Sequence, residues 1–574
     1  MATSQTLTCG GIVANNGGIG GLTKTGAGIL TLTGSNTYSG PTTLSAGSLL
    51  IGASNNLGDG SATNTITIGT ATLRSTANSY DLGVNRAITL TGNGKIQADA
   101  GTLTVSGTVT NGANLFTLFG AGNISVSGVI GTGATPTGGL NIGSTTLPAN
   151  VTLSGNNLFT GNVSLPANNT QPKAVLTLTN SGALGVGPKT VSSTGANGTN
   201  GGEIHLQNNI SLASDISFNV SGFTIYNDSG SNTINGNITM ASGAGATYLT
   251  STSGTLTVNG NMSATATARS LRLRGDGNGV ITGIIANGST VDLPVLKDLG
   301  TGTWTLSGAN TYTGGTTVSA GTLALGASHT IPDVSAVSIG SATLDAATFT
   351  DTVGTLDVTS TATINLGTGA KLVFANSSGV GSGTWAGTLT ITGDFVSGSS
   401  LNFGSSTGLT AQQLSKISAT GFTNFALDAE GDLTATAGGG GYSAWAAINA
   451  IGSAPDQDKD GDGVNNATEY VLGGTVSTND LSKLPAVSTS GGNLLFTFKR
   501  AQTSIDGSTN VTIQVGTTLL AWPDSYNVPG PAQANVPGVS IVKDTSPGFD
   551  TVTLSVPQAT DARKFARLNV VVTP

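Results

Sequence analysis

The chain has 574 residues; only 8% are charged and 5% aromatic, glycine alone supplies 87, and the net charge is −8. A globular chain of this size carries about 25% charged residues, so most of this exterior must be threonine, serine, asparagine and glycine. The acidic balance excludes a polyanion groove, no apolar run reaches the ~18 residues of a membrane-spanning helix, and a lone cysteine, Cys9, excludes an internal disulfide.

In chain order, Met1 to Gly21 reads as one or two opening strands, with Ile12, Val13 and Ile19 as expected core residues and Cys9 as a small buried residue on the first coil, the alternative being an intermolecular bridge at that end. It shows no charged region followed by an apolar stretch, so a signal peptide is not expected within it. Thr23 to Gly52, TKTGAGILTLTGSNTYSGPTTLSAGSLLIG, is then written again at Lys297 to Gly326, KDLGTGTWTLSGANTYTGGTTVSAGTLALG. Gly26 maps to Gly300, Asn36 to Asn310, Tyr38 to Tyr312 and Gly47 to Gly321, a constant offset of 274. Leu30 and Leu32, Leu49 and Ile51, Trp304 and Leu306, and Leu323 and Leu325 alternate with small residues, which is the period of strands with one dry face. Glycines end each short run.

A single rung of such strands cannot bury its apolar face, so the rungs must stack into a parallel β-solenoid. Similar runs recur from Thr23 to about Asn402. At ~20 to 25 residues per coil, they make about 16 to 20 coils. Tyr38 and Tyr312 are expected to pack at the turns. An uncovered first coil exposes unpaired N–H and C=O groups, so head-to-tail self-association through it is expected.

The repeated string resembles the autotransporter-associated, or passenger-associated, β-strand repeat of bacterial surface proteins, and Val151 to Gly161, VTLSGNNLFTG, is a weaker echo. The resemblance implies a right-handed parallel β-solenoid and an exported protein, secreted or on the cell surface, with its leader removed.

Further along, Arg269, Arg272 and Arg274 read as alternating charges on an exposed strand face beside Asp276. His205 and His329 have no Ser or Cys motif around them and read as surface or satisfied histidines. Between residues 1 and 440 acidic residues are scattered, and the densest group there, Asp428, Glu430 and Asp432, falls on a turn. Catalysis is therefore not expected. In SSTGLTAQQLSKISATGF, Thr410 and Gln413 have capping-box spacing, which predicts a short helix with Leu414 and Ile417 on one face, laid over the last coil. Gly438 to Gly441 reads as a linker.

Asp458-x-Asp460-x-Asp462-Gly463-Val464-x-Asn466-x-x-Glu469 fits the twelve-residue EF-hand loop: side-chain oxygens at positions 1, 3, 5, 9 and 12, a backbone carbonyl at 7 and glycine at 6. The spacing assigns Ca2+ to these six residues, with Tyr442 to Ile451 as a helix before the loop and Asn466 to Leu472 after it. The arrangement also resembles the dockerin-like or thrombospondin-type-3-like calcium segments of large secreted bacterial proteins. Beyond Leu484, runs such as NLLFTFKR, VTIQVGTTL and TVTLSV predict five to seven antiparallel strands in a small β-sandwich containing Phe496, Phe498, Trp522 and Phe565.

These expectations divide the chain into an all-β solenoid (1–404), a helical cap and glycine linker (405–440), a calcium segment (441–483) and a sandwich (484–574). They describe a non-catalytic structural protein of a bacterial surface, a subunit of a fibre, stalk or layer. The alternative is an adhesin that holds a glycan, with Tyr38 and Tyr312 as candidate contacts.

Overall fold

The computed structural model describes residues 5–572 except 77, 145, 167–172, 195–200, 221, 241–244, 266–268, 289–291, 421, 438–440, 450–454, 506–508, 530–536, 544–547 and 559–562. The end of the helix predicted to reach Ile451 and most of the Gly438 to Gly441 stretch lie outside the described residues. Two compact units emerge, Met1–Ile417 with Leu427–Leu433, and Ser418–Ala426 with Thr434–Pro574.

The first unit is a parallel β-solenoid of about 16 coils. Strands of successive coils pair side by side in three long sheets. Paired residues are separated by as few as 19 positions, Thr303 to Thr322, and as many as 29, Leu372 to Leu401. Loops at the corners absorb this variation, so the strands themselves stay in step. Leu103, Ile124, Val151, Leu176, Ile204 and Ile225 stand in one unbroken column. Each is almost wholly buried. At ~1.5 to 3 kcal/mol per buried aliphatic side chain, such columns are what hold the coils together, because each coil touches only its neighbours.

The recurrent Asn-aromatic pair of the repeat has a defined task. The Asn36 side chain accepts from the Val13 N–H of the preceding coil at 2.8 Å and donates to the Asn56 carbonyl at 2.5 Å. Asn310 does the same between Ile285 N–H and the Thr330 carbonyl, both at 2.7 Å. Asn157, in the weaker echo, joins Ile130 to Ala183. A buried amide that meets backbone groups on both sides satisfies donors and acceptors which the corner leaves out of the ladder. Tyr38 and Tyr312 are buried beside these amides, and their hydroxyls bond Thr42 and Thr316 at 2.7 and 2.8 Å. They are packing residues, as the turn position predicts, and offer no ring face to a glycan. Gly47 and Gly321 have φ of +71° and +62°. A Cβ at Gly47 would stand 2.4 Å from the Gly28 carbonyl oxygen, so no other residue fits that turn.

The two repeat copies differ by one residue. Lys24 pairs with Leu44, and Lys297 pairs with Val318. Both lysines are buried and cap turn carbonyls: Thr25 and Gly26 in the first copy, Leu299 and Gly300 in the second. The offset between them is 273, not 274, so the gapless register ends upstream of Gly300. The register shifts as Leu273 meets Lys297 and Arg274 meets Leu299. Asp298 is the residue left over, at a β-bulge.

Several expectations at the solenoid ends need correction. Ile12 and Ile19 are 69% and 70% exposed. Gly10 to Gly21 forms bends without a strand, so its apolar residues have no pleat to turn them inward; Val13 is half-buried. Cys9 is half-buried, opposite Leu32, and not fully enclosed. The predicted capping box is present: Gln413 N–H reaches Thr410 Oγ1 at 3.1 Å, and Thr410 N–H reaches Gln413 Oε1 at 2.8 Å. The helix, Ala411–Leu414, is only one turn long. Ile417 lies in the following strand, Ile417–Ala419, because Gln413 turns inward to bond the Ser377 carbonyl and ends the helix against the sheet.

In the second unit, a four-stranded antiparallel sheet (Ala486–Ser490, Asn493–Ala501, Phe549–Pro557, Val539–Lys543) and a three-stranded one (Asp524–Asn527, Thr509–Gly516, Phe565–Val572) share one apolar cluster. Phe496 and Phe498 lie within it. Trp522 is half-buried outside it, its ring 4.5 Å from the Arg567 guanidinium.

Candidate functional site

The acidic loop Asp458 to Glu469 lies between a helix, Tyr442–Ile448, and a second, Asn466–Leu472. Asn465 caps the second helix, accepting from Thr468 N–H at 2.9 Å, and Gly473 ends it at φ 67°. The glycines allow the tight turn: Gly461 and Gly463 have φ of +75° and +92°. Their N–H groups both donate to Asp458, at 2.8 and 2.7 Å, and hold its carboxyl below the usual carboxylate range. Val464 N–H bonds Asp462 at 2.8 Å. The result brings carboxylate oxygens of Asp458, Asp460 and Asp462 within 4.8 Å of one another.

Glu469 faces the same loop from the helix. It is buried, and neither carboxylate oxygen has a hydrogen-bond partner. Burial, followed by the charges of Asp460, Asp462, Asp480 and Asp458, pushes its carboxyl up to about 7. Three clustered carboxylates, with a fourth buried nearby without a donor, form a set that fits a hard divalent cation and fits no anion. Asn466 is buried at the start of the second helix, its N–H on the Gln457 carbonyl. Asp480 was not legible as a neighbour: its N–H donates to Asp462 at 2.5 Å, and its carboxylate accepts from Thr475 N–H at 2.6 Å and pairs with Lys483 at 3.0 Å. The loop and the C-terminal sheets share their packing. Val471 and Leu472 of the second helix belong to the cluster between the sheets, and Tyr442, Ala446, Ala467 and Tyr470 pack against Val570 and Val572.

On the solenoid, ionisable groups gather on the outer face of one sheet. His205 stacks on Tyr226, centroids 4.5 Å apart, with Nδ1 3.0 Å from Asp228 and Nε2 3.6 Å from Glu203. Burial works against its charged form, but the two carboxylates outweigh it and raise its pKa. Glu203 also meets Lys173 at 2.9 Å, and its contacts with His205 and Lys173 hold it down at about 2. Nδ1 of His205 is thus satisfied, as expected, while Nε2 is buried with only the longer contact to Glu203. Arg272 and Arg274 do alternate along an outward face, but their partner is Asp298, while Asp276 bonds Thr301 instead. Arg269 is not exposed; it falls on the buried side of the strand.

The register, the inter-coil asparagines and the matching corners define a repeat-built parallel β-solenoid. The family model of the passenger-associated-transport-repeat matches residues 22–51 and 297–325, the two copies already described. The chain is 32% identical over 322 residues, 55% of its length, to an adhesin autotransporter, BmaC, of Brucella suis biovar 1 (strain 1330). The aligned part covers 7% of that relative. No solved structure matches the chain. Among the described residues no helix is long and apolar enough to cross a membrane.

Proposed function

We propose that this chain is part of an exported, non-catalytic surface adhesin, in which the solenoid is a stiff carrier of recognition surfaces. The observation that carries this reading is the similarity of more than half the chain to an adhesin autotransporter, and the continuous parallel register supplies the stiffness. The same similarity favours the adhesin over the fibre subunit expected from the sequence. Displayed on the surface of a non-adherent bacterium, the chain is expected to confer binding to epithelial monolayers. Equal adherence by displaying and non-displaying cells would sink the reading.

The acidic loop is assigned a structural Ca2+, held by Asp458, Asp460, Asp462, the Val464 carbonyl, Asn466 and Glu469. Its effect would be to neutralise carboxylates that otherwise repel one another beside a helix packed on the C-terminal core. A hundred-fold excess of ion over Kd corresponds to about 2.7 kcal/mol of stabilisation. A chelator is therefore expected to lower the melting temperature of the second unit in the wild type, and to have no effect on the double variant Asp458→Ala, Glu469→Gln. A wild-type melting curve indifferent to both chelator and added Ca2+ would refute the assignment.

A further inference from the structure

The outer face of the second long sheet carries, between Lys173 and Asp298, the cluster of charged and aromatic side chains described above. Register explains what they build. Outward residues form two columns along the coils: His205, Tyr226, Thr250, Arg274, and Glu203, Thr224, Tyr248, Arg272. In each column a threonine stands between larger side chains. Thr250 leaves a gap between the Tyr226 ring and Arg274, and Thr224 leaves one between Glu203 and Tyr248. With coils ~4.8 Å apart, each gap has the thickness of one ring. The two gaps are diagonal neighbours and merge into a cavity of about 320 Å³, bordered also by Gly222, Gly245 and Ala246, whose lack of bulk keeps it open.

The cavity wall has the chemistry of sugar recognition: threonine hydroxyls, two tyrosines and fixed charged groups. His205 covers one face of Tyr226, and the other looks along the column toward the gap over Thr250. Arg274 is held in place by Asp298 at 2.7 and 3.0 Å and lies 4.4 Å over the Tyr248 ring. The charge is one-sided at the wall. Lys173 and Arg274 line the cavity, and none of the lining residues is acidic; Glu203 and Asp298 hold these cations from outside it. Its volume sits at the small end of the ~300–1,000 Å³ of ligand sites, suited to one or two sugar rings.

We propose that this cavity binds a carboxylate-bearing saccharide, a hexuronic or sialic acid unit, with its ring stacked on Tyr226 over Thr250 and its carboxylate between Lys173 and Arg274. The site's use in attachment rests on the adhesin reading; the binding itself does not.

The test is calorimetric titration of the full chain with hyaluronan and oligogalacturonate oligomers, sialyllactose, uncharged maltotetraose and a heparin oligomer. Binding of at least one carboxylated sugar, with maltotetraose at least tenfold weaker, is expected. Arg274→Ala should remove the preference for the charged sugar, and Tyr226→Ala should weaken binding tenfold or more. Because either variant could disturb the sheet, Thr250→Tyr provides the opposite perturbation: it continues the stack, fills the gap, and should keep the melting temperature while abolishing binding. No binding by any carboxylated sugar, binding equal for maltotetraose, binding confined to the sulfated oligomer, or undiminished binding by Thr250→Tyr each overturns the proposal. Display separates the two readings. Cells carrying Thr250→Tyr that adhere as well as wild type overturn this site's role in adherence and leave the adhesin reading intact. Sugar binding that depends on Thr250, without cell adherence, does the reverse.

Discussion

Replacing Trp304 with Ala is expected to cost about 3 to 5 kcal/mol, concentrated in the coils around it. Its indole is fully buried, its Nε1 donates to the Arg274 carbonyl at 3.1 Å, and it stacks in register between Gly279 and Leu323. The ring occupies the space that Gly279 leaves: a Cβ there would lie 2.2 Å from the indole. The matching position in the first repeat copy encloses no such volume: Leu7, opposite Leu30, lies on the outermost coil and is 68% exposed. Nearest-neighbour coupling in a solenoid confines the damage. Amide exchange should accelerate in Asn278–Ile281, Thr303–Leu306 and Thr322–Leu325, while Ile66–Ser75 keeps its protection. The double variant Gly279→Leu, Trp304→Leu should recover part of the loss, because a leucine at each position refills the space that the indole and Gly279 share. Uniform loss of protection along the solenoid, or no gain in the double variant, would contradict this account.

Asp550→Ala is expected to be the most damaging single change in the second unit. Arg500 and Asp550 are 2% and 0% exposed and meet at 2.9 Å. Gln502 donates to the other Asp550 oxygen at 2.9 Å, and Arg500 also reaches the Pro529 carbonyl at 2.7 Å. Removing one partner of a buried pair strands the other charge in the core, which costs about 3 to 5 kcal/mol. Replacing both partners by apolar residues of similar volume should cost far less. Denaturant unfolding followed by amide exchange across Asn493–Ala501 and Phe549–Pro557 measures both variants. A double replacement as harmful as Asp550→Ala would show that the pair stabilises by attraction and not merely by avoiding an orphaned charge.

What was legible in the sequence was whatever sits close along the chain. The strand alternation, the Tyr38 and Tyr312 turns, the Thr410 capping box and the spacing of Asp458 to Glu469 are each complete within a few dozen residues. The polar face was not legible. Lys173, Glu203, Tyr226, Tyr248 and Arg274 become neighbours only through register, and coils of 19 to 29 residues defeat any fixed period. Arg274 was thus assigned beside Asp276, two residues away, when its partner is Asp298 on the next coil. Ile12 and Ile19 failed for a related reason: apolar spacing marks a core only where a pleat exists to project it.

Asp298 shows how such a scaffold can acquire novelty. A single additional amino acid was accommodated without disturbing the inward columns, since Lys297 and Val318 still meet as Lys24 and Leu44 do. The surplus side chain was simply turned outward, where it now anchors two arginines. A coiled architecture can therefore rewrite its exterior by small insertions while its interior continues unaltered, and lineages built on it can diversify what they touch faster than how they fold.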